Sequence, residues 1–368
     1  MSLPTEQYVV PQGSTVLITG VNGFIASNIA DQFLKFGSKV RGTTRSLEKN
    51  AWISALFNQK YGPGNFELVA VPDMQAPDAF VQAVKGVSAV VHTATIFTLD
   101  PNPLNVIPGT ISGTVNALEA AAQEPSVKRF VLTSSSLAAV IPKPNTPVTV
   151  TADTWGEEAV DLAYRDPPYE PKRALPVYAA SKTLAEKEAW KFMAEKKPAF
   201  TLNTVLPNMN LGASLDSTNQ GHPSTSAIVA ELFKGNPNYL GGITPRRSPV
   251  PIPPSHYSPT LEKKQADPNP EYFVDVQDDA LLHVAAAIHP DVQSERVFAF
   301  AEPVNGDGVL AILRKLYPGR SFPADFQADK DVSEIVPRKR AEALLREMGK
   351  DGWTRLEESI KRNTEDLV

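Results

Sequence analysis

Residues 15–45 read TVLITGVNGFIASNIADQFLKFGSKVRGTTR. TVLIT (15–19) is a short apolar run. Phe24, Ile25, Ile29, Phe33, Leu34 and Phe36 then recur at helical spacing, Gly37 supplies a stop, and KVRGTTR (39–45) reads as a second strand. Between strand and helix stands GVNGFIA, which places Gly20, Gly23 and Ala26 in a G-x-x-G-x-x-A spacing. The first glycine permits a tight turn and the second lets a phosphate approach the backbone. The small third residue lets the helix pack closely on the strand. The start of the helix, at Phe24 and Ile25, offers unpaired N–H groups and a partial positive charge to an anion. A glycine pattern by itself is also an ordinary strand-to-helix turn; its place inside a βαβ unit makes it a dinucleotide-binding candidate.

Outward from this unit the same alternation continues. FELVAV (66–71), VSAVVHTA (87–94), KRFVLT (128–133) and FTLNTVL (200–206) are further buried strands. Helical stretches fall at Val115–Ala122 and Tyr178–Met193, the latter expected to be strongly amphipathic. Strands separated by helices of this length predict crossovers and a doubly wound parallel α/β sheet, a Rossmann arrangement with helices on both faces. After Pro207 the regularity breaks, and residues 237–270 carry a density of proline that disfavours strands and helix interiors. That stretch reads equally as a disordered insertion or as a rim over a substrate site. EYFVDVQDDALLHVAAAI (271–288) then predicts a strand entering a helix through an acidic turn, and VFAFA (297–301) a strand. Helices are expected over about Gly306–Leu316, Pro337–Met348 and Asp351–Thr364. The expected division is a nucleotide-binding domain over 1–206 and a smaller, discontinuous substrate-binding region over 207–368, with part of 271–300 returning to the main sheet.

Bulk composition narrows the function. The 368 residues include 42% hydrophobic and 21% charged side chains, an ordinary globular balance. A net charge of −5 with no dense basic block argues against nucleic acid. There is no cysteine, which excludes disulfides, thiolate metal sites and a cysteine nucleophile. The five histidines are scattered and lack a zincin arrangement, so no metal is expected. No signal peptide and no apolar run of about 18 residues is seen, so a cytoplasmic protein free of the membrane is expected.

Two clusters carry chemistry. The end of the second strand, VRGTTRSLEK, has Arg41, Arg45 and Lys49 where an NAD site would place an acid for the ribose hydroxyl. Basic residues there suit a 2′-phosphate, so NADP (as NADPH) is the expected cofactor, with Arg45 the leading ligand, Lys49 next and Arg41 last. Further on, YAASK puts Tyr178 and Lys182 on one face of a helix, and KRFVLT runs into Ser134, Ser135 and Ser136 at a strand's carboxyl end. An unperturbed phenol, with a pKa of about 10, is poorly matched to protonating a carbonyl oxygen at neutral pH. A neighbouring ammonium can bring it down, and a serine hydroxyl can hold the oxygen. With nine tyrosines, about half a Y-x-x-x-K is expected by chance; the order of glycine turn, basic strand, serines and then Tyr–Lys gives the motif its meaning.

LITGVNGFIASNIADQFL, KVRGTTRS, SVKRFVLTSSSLAAVIPKPN, VYAASKTLAEKEAWKFM and KLYPGRSFPADF together resemble the extended short-chain dehydrogenases/reductases, in the dihydroflavonol reductase-like group, and most of all its fungal aldehyde reductase (ketoreductase) type. The likeness covers most of the chain. It implies Ser135, Tyr178 and Lys182 as a catalytic triad, with Lys182 also holding the nicotinamide ribose. It further implies Arg45 and Lys49 on the 2′-phosphate, Asp73 near the adenine and Pro207 against the nicotinamide. Asn116 matches a fourth catalytic position of many such enzymes, though a packing role in its helix is the preferred reading. Phe97, Asn208 and Leu240 are candidate pocket walls. The implied activity is NADPH-dependent reduction of aldehydes and ketones, including keto esters and aryl ketones, by a monomer or homodimer. The same triad also serves a hydroxysteroid-type dehydrogenase/isomerase, and a non-catalytic NADPH sensor is a third reading. The proline-rich stretch is longer than its counterpart in those reductases, which leaves substrate range open.

Overall fold

In the computed structural model, which describes residues 7–236 and 271–368, the opening stretch folds as strand, turn, helix and strand: β1 (Thr15–Ile18), α1 (Phe24–Lys35) and β2 (Lys39–Thr44). Then follow α2 (Ala51–Tyr61), β3 (Phe66–Ala70), β4 (Ala89–His92), α3 (Ile107–Gln123) and β5 (Arg129–Thr133). A short β6 (Thr149–Val150), α4 (Glu157–Ala163), the long α5 (Ala174–Lys196) and β7 (Thr201–Pro207) come next. The remainder comprises β8 (Met209–Leu211), α6 (Ser217–Gln220), α7 (Ser226–Phe233), β9 (Glu271–Asp275), α8 (Val276–Ile288), β10 (Arg296–Ala299) and β11 (Glu302–Val304). It closes with α9 (Gly306–Leu316), β12 (Glu334–Ile335), α10 (Arg338–Glu347) and α11 (Leu356–Thr364).

Seven strands form one parallel sheet in the order β10–β7–β5–β4–β1–β2–β3. Val16 pairs with Val40 on one side and Ala89 on the other, so the winding reverses between β1 and β4. In such sheets the crevice beyond the carboxyl ends at the reversal is where ligands bind. Successive side chains of a strand face opposite ways, and β1 shows it. Val16 and Ile18 join the core under α1 and α8, together with Ile29, Phe33 and Leu282. Leu17 joins the opposite core with Leu118 of α3 and Ala189 and Phe192 of α5.

The expected helix over 178–193 is there but is longer and not amphipathic. Val177, Ala179, Ala180, Lys182, Ala185, Glu186 and Ala189 are all buried, because α5 is wedged between the sheet, α3 and α4. Small alanines permit that close packing, and the two charged residues inside it require partners. The strand-to-helix reading of 271–288 corresponds to β9 and α8, where the Asp275 carboxylate accepts from the Gln277 N–H at 2.9 Å. β9 lies between β11 and β8 in a second, three-stranded sheet, while β10 pairs with β7 in the main one. Leu211, Phe273, Val309 and Ile360 make a separate core beneath α7, α9 and α11. The last helix begins at Leu356 rather than Asp351, because the Thr354 N–H turns inward to the buried Asp278 carboxylate at 2.6 Å.

Candidate active site

Gly20 takes a φ of +65°, a left-handed conformation that its lack of a side chain makes inexpensive. Its N–H donates to Thr43 Oγ1 at 3.1 Å, and the next N–H, of Val21, to the Thr43 carbonyl at 2.9 Å, so the turn is laced to β2. That lacing demands a second glycine: a Cβ on Gly42 would stand 2.4 Å from Val21 Cγ1. Gly23 opens α1 with no side-chain cap and no acid in the first turn, which leaves the N–H groups of Phe24 and Ile25 facing outward with the helix's positive end. A pyrophosphate fits this cradle on charge and on the room the glycines leave.

Past β2, Thr44 Oγ1 reaches Asn22 Oδ1 at 3.2 Å, and Asn50 Nδ2 donates to Thr44 Oγ1 at 2.8 Å, fixing the segment that carries Arg45 and Lys49 beside the glycine turn. Both basic residues are exposed, and neither makes an ion pair among the described residues. Arg41 is different: its guanidinium binds Glu67 at 2.8 Å and the carbonyls of Ala83 and Lys85, a structural commitment that takes it out of phosphate binding. Asp73 is exposed after β3, with its carboxylate accepting from the Gln75 N–H. Asn116 donates to the Met74 and Ala76 carbonyls at 3.0 Å each, a packing role that ties α3 to this loop.

The serine run, Tyr178 and Lys182 meet at the carboxyl end of β5. Lys182 is buried, with Nζ donating to the Thr133 carbonyl at 2.7 Å. Burial lowers its pKa to about 8, against an opposing pull from the Glu186 carboxylate. Ser135 Oγ accepts from the Leu137 N–H at 3.2 Å, and its hydroxyl lies near enough to the Tyr178 phenol to affect its acidity. Burial pushes the phenol upward and the neighbouring Ser135 hydroxyl draws it part of the way back. The expected depression of the phenol by Lys182 is therefore not the dominant influence on it here. Burial dominates it, and the ammonium is directed at the Thr133 carbonyl.

Phe97 stands edge-on to Tyr178, centroids 5.2 Å apart at 85°. Pro207 ends β7, and Asn208 beside it lies near Glu271, whose carboxyl burial and the Asp331 charge push up to about 8. Leu240 and the proline-rich stretch 237–270 lie outside the described residues. The loop after β4 joins the two halves of the site. Ala94 lies against Gly20, 3.4 Å from where a Cβ would sit, and Phe97, three residues on, touches Tyr178.

Three participants escaped the sequence reading. The Thr133 carbonyl is a backbone group without a residue-type signal. Gln220, whose Nε2 donates to Ser27 Oγ at 2.9 Å over the start of α1, lies in a segment without periodicity. Glu186 did have a signal, at i+4 from Lys182 and i+8 from Tyr178 on the same helical face.

The profile of the NAD dependent epimerase/dehydratase family matches residues 16–248. The chain is 41% identical over 365 residues to Aldehyde reductase 2 of Sporidiobolus salmonicolor, covering 99% of this chain and 97% of that one. It is 38% identical to Ketoreductase adrE of Penicillium rubens, covering 97% of each. Among solved structures, yeast methylglyoxal/isovaleraldehyde reductase Gre2 complexed with NADPH superposes with a TM-score of 0.76 at 23% identity, over 96% of this chain and 98% of that one. Among the described residues there is no group of side chains suited to a metal ion, and no helix is long and apolar enough to cross a membrane.

Proposed function

Because the chain belongs to the NAD dependent epimerase/dehydratase family, we propose that this site reduces the carbonyl group of aldehydes and ketones, keto esters and aryl ketones among them, to alcohols at the expense of NADPH. The observation that carries the reading is the short loop from Ala94 to Phe97, which touches Gly20 of the glycine turn at one end and the Tyr178 ring at the other. The aldehyde reductase and ketoreductase names of the relatives point the same way.

Gly20, Gly23 and the N–H groups of Phe24 and Ile25 would take the pyrophosphate, and Arg45 with Lys49 the 2′-phosphate. Asp73 would lie near the adenine, Pro207 against the nicotinamide, and Lys182 would hold the ribose hydroxyls. When bound, the reduced nicotinamide supplies a hydride equivalent to the carbonyl carbon. This chain's residues manage the oxygen. Ser135 Oγ holds it by a hydrogen bond, and Tyr178 gives up its phenolic proton as charge grows there. The Lys182 ammonium stabilises the phenolate left behind. Phe97 and Asn208 would wall the substrate pocket, one apolar and one polar.

The test is cofactor oxidation, followed by absorbance, over a panel of aldehydes, α- and β-keto esters and aryl ketones, with NADPH and NADH in parallel. Turnover with NADPH clearly faster than with NADH is expected. Bound NADPH with no turnover on any carbonyl would overturn the reading, and equal use of both cofactors would overturn the roles of Arg45 and Lys49.

A further inference from the structure

One helical turn beyond Lys182, with no exposure of its side chain, lies Glu186. A buried carboxylate persists only when its charge and lone pairs are answered, and here four elements answer them. Ser134 Oγ of the serine run donates to Oε2 at 2.6 Å. Thr204 Oγ1 of β7 donates to Oε1 at 2.8 Å, Arg296 Nε of β10 at 2.8 Å, and Trp190 Nε1 of the same helix at 3.3 Å. Arg296 is itself locked: its guanidinium lies 3.8 Å from the centre of the Trp155 ring and holds the Ala152 and Thr154 carbonyls at 2.6 and 2.8 Å.

Ser134 sits between the two residues on which the chemistry depends. Thr133, before it, offers the carbonyl that receives Lys182. Ser135, after it, offers the hydroxyl that lies beside the Tyr178 phenol. Tyr178, Lys182 and Glu186 occupy one face of α5 at four-residue intervals. The helix therefore grips the strand end at three successive turns, twice through reacting groups and once through an inert carboxylate. We propose that Glu186 is a positioning residue for the reductase reaction, acting through Ser134 to set the Thr133 carbonyl and the Ser135 hydroxyl at the places where Lys182 and Tyr178 need them.

This rests on the carbonyl-reductase reading above and adds to it a fourth position on α5. The charge of Glu186 also works in its favour, since it partly offsets the burial that strips the proton from Lys182. Small displacements of a reacting group cost large factors in rate, up to about a hundredfold for an ångström. A misplaced strand end should thus appear in kcat before it appears in binding.

Ser134→Ala and Glu186→Gln test this in the full-length enzyme with NADPH and the best carbonyl of the panel, beside Tyr178→Phe. Ser134→Ala cuts the tie to the strand and leaves the Glu186–Arg296 pair whole, so it remains informative if Glu186→Gln fails to fold. The expected result is a kcat lowered about tenfold or more in Ser134→Ala and in whichever Glu186→Gln folds. The KM for NADPH and for the carbonyl should stay within about twofold, and the melting transition of Ser134→Ala should fall only by the few degrees that one lost buried hydrogen bond costs. A Ser134→Ala enzyme with kcat within about twofold of the parent overturns the inference while Tyr178→Phe, being inactive, leaves the reductase reading intact. Equal losses of kcat, NADPH affinity and stability overturn it also, since they mark a structural role only. Retained activity in Tyr178→Phe overturns the reductase reading itself.

Discussion

Two groups in the crevice depart from their ordinary acidity because of burial, and they do so in directions that pull apart. The partly buried Tyr178 phenol holds its proton more tightly, while the Lys182 ammonium, more deeply buried, holds its own more loosely, at about 8. A proton donor that stays protonated is served by the first shift. In the proposed mechanism the second sets a limit, because an ammonium can stabilise a phenolate only while charged. As pH rises through about 8 in the cofactor-free enzyme, Lys182 loses its proton, and kcat/KM, which reports on the free enzyme, should fall. A pH–rate profile checks this; a flat profile up to roughly pH 10, where an ordinary lysine titrates, would contradict the burial of that ammonium. At this scale Tyr178, Lys182 and the serine run could be picked out from the sequence because their spacing follows the helical period and the strand's end. In the sequence Arg41 ranks behind Arg45 and Lys49 but stays a candidate. Only the fold reveals that its neighbours across β3 are Glu67 and two carbonyls, which consume its donors. Glu186 escaped notice because a glutamate in a helix is normally a solvated surface charge, and what makes this one different is Arg296, 110 residues away.

The glycine turn and β2 form one unit, held by the Gly20–Thr43 and Val21–Thr43 hydrogen bonds and by the absence of a side chain at position 42. Gly42→Ala places a methyl group within 2.4 Å of Val21, so either the turn or the strand must move. Overpacking of this kind costs about 1–3 kcal/mol. Because the part that moves is the proposed phosphate cradle, NADPH affinity should fall along with stability. Denaturant unfolding and cofactor titration of the variant measure both; unaltered stability would contradict the close approach of Val21 to β2. Elements such as β1, β4, β5 and β7 stood out in the sequence because a central parallel strand is buried on both faces and reads as an unbroken apolar run. The two- and three-residue strands β6, β8, β11 and β12 carry no such run. Their pairing is decided by distant partners, as when Glu334 and Ile335 meet Thr149 and Val150. The amphipathic reading of α5 failed because packing on three sides selects small residues rather than an apolar stripe.

Across the whole molecule, the return of the chain after residue 271 completes the architecture. α8 packs against α1, β10 extends the main sheet next to β7, and Gln277 Nε2 reaches Asn28 Oδ1 at 2.7 Å across the two helices. Such long-range returns leave only faint marks in a sequence, whereas the alternating order of strands and helices, which fixes the winding, is written locally. The central claim is that this assembled crevice reduces carbonyls with Tyr178 as proton donor. The most direct test measures NADPH oxidation by the parent enzyme and by Tyr178→Phe on the same carbonyl, together with the NADPH dissociation constant of each. A loss of turnover of roughly 10²–10⁴-fold, the usual worth of a positioned acid, is expected, with the dissociation constant changed by no more than a few fold. A Tyr178→Phe enzyme that keeps most of its turnover would contradict it.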